Sequence, residues 1–165
     1  MTQLEEARSK LEVKLHTDPL TEALNRHAFY SMQRGDEIST EGALAGVVVM
    51  IDVDNLKRIN DEIGHMAGDA VIRATANAVR TLIRADDLLF RWGGDEFVAI
   101  VPNMSVEQVC DRLAPLGDGI SARVSASGPT MHFRISWGAA EFDVEKTLDQ
   151  AIKVADRAMY ATRSH

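Results

Sequence analysis

Hydrophobic positions along the chain recur with two periods, one helical and one extended. Leu4, Ala7, Leu11 and Leu15 recur every three or four residues between charged positions, which predicts an N-terminal helix. Residues 47–51 form a continuous β-branched and apolar run, which is typical of a buried central strand. The same patterns predict the remaining elements: helices near residues 24–29, 56–63, 66–84, 106–113 and 148–161, and strands near residues 88–91, 97–101, 123–125 and 133–140.

Turn signals separate the first elements. Proline disfavours helical geometry in the residue before it, so Asp18-Pro19 is expected to end the first helix. Asp18 or Thr21 is then expected to cap the second helix, because both side chains can accept a hydrogen bond from a first-turn N–H. Residues 35–42 are polar and rich in turn-forming residues, which predicts a loop before the buried strand.

The alternation of helices with strands, one connection being a hairpin, indicates an α+β fold. The predicted order suits a ferredoxin-like core of the polymerase-palm type, in which helices flank a central antiparallel sheet. We divide the chain into an N-terminal linker helix, residues 1–16, and one domain, residues 17–165. The narrow apolar stripe of the linker helix fits either the end of a coiled coil or an amphipathic helix folded back on its own domain.

Composition narrows the functional classes. The chain has 165 residues, of which 45% are hydrophobic and 26% charged, as expected for one ordinary globular domain. Its net charge of −7 argues against a polyanion such as DNA as the main partner. A single cysteine, Cys110, excludes an internal disulfide and a zinc site built from cysteines. The longest apolar run, residues 43–51, is too short to span a membrane, so we expect a cytoplasmic chain or the cytoplasmic part of a longer protein.

Two pairs of acidic residues stand where the predicted sheet ends. Asp52 and Asp54 follow the buried strand and point to one side of an extended chain. Asp95 and Glu96 occupy the tip of the predicted hairpin. If the hairpin lies beside the strand, the carboxylates converge, and their mutual repulsion calls for a cation such as Mg²⁺ to offset it.

The hairpin contains two adjacent glycines. Gly93 and Gly94 are expected to supply the positive φ angles of a tight hairpin. Alone, such a pair is an ordinary hairpin signal, just as Asp-x-Asp at a strand end is usually a solvated turn. The combination of the two favours a metal site, as in palm-type enzymes that use a metal pair to activate a hydroxyl and neutralise a displaced pyrophosphate.

Residues 91–97, Arg-Trp-Gly-Gly-Asp-Glu-Phe, resemble the signature of the GGDEF family of diguanylate cyclases. The resemblance covers roughly residues 17–163. Further segments that fit the family pattern are Asp18-Pro19-Leu20-Thr21 with Leu24-Asn25-Arg26, Asp52-Val53-Asp54 with residues 57–61, Gly64-His65 with Gly68-Asp69, Ile135-Ser136 with Gly138, and Ala155-Asp156 with Ala158-Met159-Tyr160.

The resemblance implies an enzyme that condenses two molecules of GTP into cyclic di-GMP with release of two pyrophosphates. It implies a two-metal mechanism with Mg²⁺, for which Mn²⁺ is a possible substitute, across a transient homodimer, with feedback inhibition by the product. It also implies a sensory domain upstream in a longer protein. Two alternatives stay open: a catalytically silent module that binds GTP or cyclic di-GMP, and a cyclase of relaxed base choice that makes a mixed dinucleotide.

The resemblance also implies roles for the acidic residues and glycines. Asp52 would ligate magnesium through its carboxylate and Val53 through its backbone carbonyl. Asp95 would be a metal ligand and the base for the attacking 3′-hydroxyl, and Glu96 would support the metal and the nucleotide. Gly93 and Gly94 would let the backbone approach the nucleotide.

Further roles concern the guanine base. Asn60 and Asp69 would contact its edge, because a carboxylate accepts from the N1 and N2 donors that adenine lacks. His65 lies between them and would line the pocket, although a capping histidine at a helix start explains its position equally well.

The triphosphate would be held by amides near Asn55 and Leu56, together with Lys57, at a helix start. Arg163 stands where a phosphate-binding lysine is common, which keeps the charge and alters its geometry. Leu56 replaces a usual Phe and Trp137 a usual Ile, and both replacements are expected to be changes in packing.

Arg84 and Asp87 precede the hairpin with the spacing of a product-binding inhibitory site in the family. The alternative is an ordinary ion pair between residues three apart at a helix end, which contributes little to stability. The resemblance favours the inhibitory site.

Overall fold

A computed structural model of the chain describes residues 1–33 and 45–163. The turn-rich segment predicted at residues 35–42 lies outside the described residues. The helices are α1 (Gln3–His16), α2 (Arg26–Gln33), α3 (Leu56–Ile63), α4 (His65–Leu82), α5 (Val106–Leu113) and α6 (Leu148–Thr162). The strands are β1 (Gly46–Val53), β2 (Leu88–Arg91), β3 (Glu96–Pro102), β4 (Ile120–Arg123), β5 (Thr130–Phe133) and β6 (Ile135–Phe142).

Four strands form an antiparallel sheet in the order β2-β3-β1-β6. Helices α3 and α4 connect β1 to β2, and β3 then returns to lie between those two strands. This is the split βαβ arrangement of ferredoxin-like folds, so the predicted α+β class and antiparallel sheet are confirmed. All eight residues of β1 are buried, as the apolar run predicted.

The two faces of β1 belong to different cores. Val47, Val49 and Ile51 contribute to a core that includes residues of α4, α5 and the small β4–β5 sheet. Val48 and Met50 contribute to a second core with residues of α2 and α6. Because side chains alternate along a strand, the next even-numbered residue of β1 also lies on the α2–α6 side.

Helix α1 has no buried residue. Its leucines stay exposed, with Leu4 at 80%, Leu11 at 67% and Leu15 at 55% of full exposure. Asn25 connects the end of α1 to the domain, because its side-chain amide donates to the Leu15 carbonyl at 2.7 Å and its N–H donates to the His16 carbonyl at 2.9 Å. Within the described residues, the apolar stripe of α1 therefore does not pack back onto the domain.

Asn25 also corrects one prediction about helix caps. The predicted caps of the second helix were Asp18 and Thr21, but α2 begins only at Arg26, and the Asn25 carboxamide oxygen accepts from the Ala28 N–H at 2.9 Å. Asp18 instead accepts from the N–H of Thr21 at 3.0 Å and from its hydroxyl at 2.7 Å. These bonds close a turn before the helix, so the cap of α2 lies later in the sequence than predicted.

The strands near the C-terminus also differ from the prediction. The strand predicted over residues 133–140 is interrupted at Arg134, since β5 pairs with β4 while β6 pairs with β1. The strand predicted near residues 123–125 lies at Ile120–Arg123 instead. Both errors have one cause: a run of alternating residues does not reveal which neighbouring strand it will pair with.

Among residues 1–33 and 45–163, no helix combines the length and the apolar character that crossing a bilayer requires.

Candidate active site at the end of the central strands

Asp52 and Glu96 are direct neighbours across the two central strands. Asp52 of β1 pairs in register with Glu96 of β3, and residues opposite each other in this way have Cβ atoms about 5 Å apart. Asp95 joins them through the backbone, because its carbonyl accepts from the Val53 N–H at 2.9 Å. The hairpin therefore lies beside β1, and the structure brings Asp52, Val53, Asp95 and Glu96 to one edge of the sheet.

The Asp52 carboxylate is buried and only half satisfied. Its Oδ2 forms an ion pair with the guanidinium of Arg163, the residue that follows α6. Its Oδ1 is buried and has no hydrogen-bond partner within the described part of the chain. An unpaired buried carboxylate oxygen is costly, so this atom is an open position for a cation.

Glu96 lies on the same face and is half-buried. Burial raises the pKa of its carboxyl above the usual 4.5, and the negative charges of Asp95 and Asp156 raise this pKa further. The positive charge of Arg26 acts in the opposite direction on the same pKa. Helices α2 and α6 thus place one charge of each sign near Glu96.

The donor set suits magnesium only if other oxygens complete it. Within the described residues, no group of three or more His, Cys, Asp or Glu side chains could hold a metal ion by itself. Mg²⁺ is commonly bound through one or two carboxylates together with water and substrate phosphates. The open Oδ1 of Asp52, with carbonyl and phosphate oxygens as further ligands, fits that chemistry.

The glycine loop differs from the predicted tight hairpin. Neither Gly93 nor Gly94 has a φ in the left-handed region, so the prediction of positive φ angles is wrong. The loop between β2 and β3 spans residues 92–95, and a loop of four residues does not need the mirror-image turns that two-residue hairpins require. A Cβ on Gly93 would lie 3.3 Å from Oε2 of Glu96, whereas Gly94 faces open space.

Arg91 fixes this loop to the start of the domain. Its guanidinium donates to the Gly94 carbonyl at 2.9 Å and to the Asp18 carboxylate at 3.2 Å. On the other side of the loop, the Arg26 guanidinium carbon lies 4.3 Å from the centroid of the Trp92 ring. Arg91 and Asp18 belong to two separate segments that resemble the family, but only the folded structure shows that they contact each other.

Arg26 and Asp156 are the residues near Glu96 that sequence reasoning missed. Both stand within segments that resemble the family, yet nothing local to either position indicates a role. Each is more than fifty residues from Glu96 in sequence. Only the packing of α2 and α6 on the same face of the sheet brings their charges to bear on it.

The residues predicted to contact guanine lie on α3 and α4. Asn60 packs against Gly68, where a Cβ would overlap the Asn60 carboxamide and displace that side chain. Asp69 follows Gly68 and is exposed, and His65 is exposed at the first position of α4. The residue at the cap of α4 is Gly64, with a φ of 117° that favours glycine, and not His65.

The residues predicted to hold the triphosphate lie at the start of α3. Asn55 precedes the helix with a left-handed φ of 58°, and within the described chain its side chain accepts no hydrogen bond from the first turn. Lys57 is exposed on that turn. Leu56 and Trp137 are partly buried against the α4 side of the core, in agreement with the expected packing role.

Asp54 was expected to converge with the other carboxylates. Its Oδ1 accepts from the Ser136 hydroxyl at 2.7 Å, and its N–H donates to the Arg134 carbonyl at 2.9 Å. Asp54 also lines a groove of about 490 Å³ beside β6, together with Trp137. The Asp54 carboxylate is therefore engaged by β6 and is not left open like that of Asp52.

The Arg84–Asp87 pair closes the turn between α4 and β2. Asp87 is buried and accepts from the Arg84 N–H at 2.7 Å and from its guanidinium at 3.1 Å. The guanidinium also donates to the Pro102 carbonyl at 2.5 Å. Next to the pair lies a cleft of about 420 Å³ that Glu22 and Arg80 also line.

Comparison with known proteins identifies relatives along the whole chain. The model of the family described as "Diguanylate cyclase, GGDEF domain" matches residues 15–165. The diguanylate cyclase DgcM of Escherichia coli strain K12 is 31% identical over 165 residues, which cover 99% of this chain and 40% of DgcM. The diguanylate cyclase DgcP of Pseudomonas aeruginosa is 33% identical over 153 residues, which cover 91% of this chain and 23% of DgcP. The chain thus spans less than half the length of these curated relatives.

A solved structure agrees with the fold. The coiled coil and GGDEF domain of DgcB from Caulobacter crescentus, in complex with c-di-GMP, superposes with a TM-score of 0.80 at 25% identity. The superposition covers 97% of this chain and 86% of that one, so it includes α1 as well as the sheet and its helices.

Proposed function

The chain belongs to the GGDEF family, and on this premise we propose that it condenses two molecules of GTP into cyclic di-GMP and two pyrophosphates. Each 3′-oxygen attacks the α-phosphorus of the other nucleotide, the bond to the β-phosphate breaks, and pyrophosphate leaves. The observation that carries the proposal is the pairing of Asp52 with Glu96, with Asp95 held beside them by the Val53 N–H. GTP is a cytoplasmic nucleotide, and we therefore place the reaction in the cytoplasm.

In this proposal Asp95 and Glu96 are the catalytic residues. Asp52, the Val53 carbonyl and Asp95 would hold Mg²⁺, or Mn²⁺ in its place. Bound metal, in a two-metal mechanism, would lower the pKa of the attacking hydroxyl and neutralise the displaced pyrophosphate. Asp95 accepts the proton of the 3′-hydroxyl. Glu96 supports the arrangement from the neighbouring position of β3.

The nucleotide would lie between the glycine loop and the helices α3 and α4. Asn60 and Asp69 accept from the guanine N1 and N2 donors, with His65 beside them. The open N–H groups at the start of α3 meet the phosphates, as the positive end of a helix favours anions. The remaining contacts to the nucleotide come from Asn55, Leu56, Lys57, Gly93, Gly94 and Arg163.

Symmetry of the product requires two such sites. One acidic site binds one GTP, while the product joins two guanylates that are related by a two-fold axis. Two chains facing each other supply both nucleotides, and proximity then replaces an encounter between dilute substrates. The exposed leucines of α1 are suited to bring two domains together, and a sensory domain in a longer protein would act through this helix.

The product would also bind away from the active site, at Arg84 and Asp87. The support is the exposed part of the Arg84 guanidinium next to a cleft of about 420 Å³. Asp87 orients that guanidinium, which leaves its free N–H groups for a product phosphate.

The proposal is tested by incubating the chain with GTP, ATP and Mg²⁺ and identifying the products by mass. Wild-type protein is expected to yield cyclic di-GMP with two pyrophosphates per product, at a rate per chain that rises with protein concentration. Asp95→Asn is expected to be at least about a hundredfold slower, because it removes both a metal ligand and the base. Asp111→Asn, on the exposed side of α5, is the matched control and should retain the rate.

Two results would contradict the proposal. If the chain binds GTP but does not convert it, the catalytically silent module is the correct alternative. A product containing adenine would show that Asn60 and Asp69 do not select guanine.

A further inference from the structure

The ion pair between Arg163 and Asp52 joins two residues that the proposed reaction uses for different purposes. Asp52 is the buried carboxylate assigned to the metal, and Arg163 is assigned to the phosphates. In the structure the Arg163 guanidinium contacts Asp52 directly, from the end of α6. The Asp52 side chain is 2% exposed and that of Arg163 is 36% exposed. One end of the guanidinium therefore meets the sheet, while the rest of the side chain reaches water.

The backbone of Arg163 is anchored, so a change of partner needs only its side chain to move. Its N–H donates to the Tyr160 carbonyl at 3.3 Å, which continues the last turn of α6. Its guanidinium carbon lies 5.8 Å from the centroid of the Tyr160 ring. The long, unbranched side chain can turn from Asp52 toward solvent with its Cα in place.

A divalent cation and the guanidinium compete for the same carboxylate. Two positive charges a few ångströms apart repel strongly in a partly buried site. Arg163 satisfies only Oδ2 and leaves Oδ1 open, so it neutralises Asp52 without completing its hydrogen bonds. A cation at Oδ1 is therefore attracted by the buried carboxylate and at the same time repelled by the charge of Arg163.

We propose that Arg163 is a built-in counter-ion that makes metal binding at Asp52 conditional on a bound triphosphate. Without nucleotide, the guanidinium holds Asp52 and weakens the binding of free divalent cations. With a triphosphate present, phosphate oxygens offer Arg163 a second set of acceptors, and the carboxylate becomes free for the metal. A guanidinium suits this exchange because its planar set of five donors matches both carboxylate and phosphate. The proposal rests on the assignment of Asp52 as a metal ligand in the proposed function.

The first test measures metal binding without nucleotide. The full chain is titrated with Mn²⁺, and free Mn²⁺ is followed by electron paramagnetic resonance. Arg163→Gln is expected to bind Mn²⁺ about tenfold more tightly than wild type, as it would if Arg163 leaves Asp52 free about a tenth of the time. Arg157→Gln removes the same charge from an exposed position on α6 and is expected to stay within about twofold of wild type. Equal affinities of Arg163→Gln and wild type would overturn the proposal.

The second test adds a GTP analogue with a methylene bridge between the α- and β-phosphorus atoms. The tenfold advantage of Arg163→Gln is expected to disappear, because the triphosphate draws Arg163 away from Asp52 in the wild-type chain. An advantage of the same size with and without the analogue would show that the exchange of partners does not occur, and would also overturn the proposal.

A third measurement needs no folded Gln variant. In metal-free wild-type protein, the ion-paired guanidinium of Arg163 is expected to show hindered rotation in ¹⁵N NMR spectra, with its signals assigned by their loss in Arg163→Lys. Free rotation in the metal-free state would contradict the proposal. Failure of the proposed function is distinguishable, since the chain would then make no cyclic di-GMP while Arg163→Gln still bound Mn²⁺ more tightly. Cyclic di-GMP formation without an Arg163 effect would reject only the counter-ion.

Discussion

Asp52 and Asp87 are both buried aspartates paired with an arginine, but they differ in how fully their oxygens are satisfied. Asp87 accepts from the Arg84 guanidinium on both oxygens, at 3.1 and 3.4 Å, and from the Arg84 N–H at 2.7 Å. Asp52 has one oxygen in an ion pair with Arg163 and the other without a partner in the described chain. The two pairs therefore contain the same charges, but only Asp52 keeps a carboxylate oxygen that is available to a ligand.

The origin of each arginine explains this difference. Arg84 lies three residues from Asp87, so a short turn can align its N–H and its guanidinium on one carboxylate. Arg163 lies more than a hundred residues from Asp52 in sequence, and its side chain reaches the carboxylate from the end of α6. A carboxylate satisfied by its own turn stabilises that turn, whereas one satisfied on a single side keeps an atom for a ligand. In the Arg84–Asp87 pair, the atoms still available are those of the arginine, whose side chain is 45% exposed.

The largest effect is expected for Asp52→Asn. Cyclization should fall at least about a hundredfold, because the amide no longer offers a charged oxygen to the metal. The free energy of unfolding in chelator should change by less than about 1 kcal/mol, because the substitution removes a buried charge that is only half satisfied in the described chain, while the partly exposed Arg163 guanidinium can turn to water. Product formation and urea denaturation are measured on the same preparation. A loss of stability that accounts for the lost activity would make Asp52 a structural residue like Asp87.

The opposite result is expected for Asp87→Ala. Its free energy of unfolding should fall by about 2 kcal/mol, because the Arg84 N–H and guanidinium lose their acceptor together. Asp86→Ala, at the exposed neighbouring position, is the control and should change stability by no more than about 0.5 kcal/mol. Urea denaturation decides between them, and equal stabilities for both variants would contradict the structural role of Asp87.

Arg84→Ala tests whether the exposed part of the Arg84 guanidinium binds the product. The concentration of cyclic di-GMP that halves the rate should rise about tenfold, which is the loss of one charge-assisted hydrogen bond. Arg73→Ala removes a charge from an exposed position of α4, the helix before Arg84, and serves as control. Unchanged product inhibition in Arg84→Ala would leave the Arg84–Asp87 pair with its structural role alone.

The smallest effect concerns the pH dependence of stability beside Asp52. Burial and neighbouring acids raise the pKa of Glu96 in the folded chain above 4.5, so the folded state binds this proton more tightly than the unfolded state does. In chelator, stability should therefore fall as pH rises from about 4.5 through the raised pKa, and stay constant above it. Glu96→Gln should lack this fall when urea denaturation is repeated across that range. The same dependence of stability on pH in both proteins would show that the pKa of Glu96 is not raised in the folded chain.

Periodicity and motifs predicted a large part of this protein. The apolar run before Asp52 predicted a central strand, and β1 is buried along its length. Helix α3 and strand β2 lie at the predicted residues 56–63 and 88–91. These elements depend on patterns within a few residues, which the sequence contains directly. The acidic strand end and the acidic hairpin were also visible, and they pointed to the same edge of the sheet.

The partners of these residues were decided by the tertiary structure. Asn25 caps α2 because an earlier turn displaces the helix start, and β5 separates from β6 because each has a different neighbour. The ion pair of Arg163 with Asp52 and the charges of Arg26 and Asp156 near Glu96 arise from helices packed on one face of the sheet. Local sequence determines which residues face a core, but the groups that satisfy a buried charge come from whichever distant element packs above it.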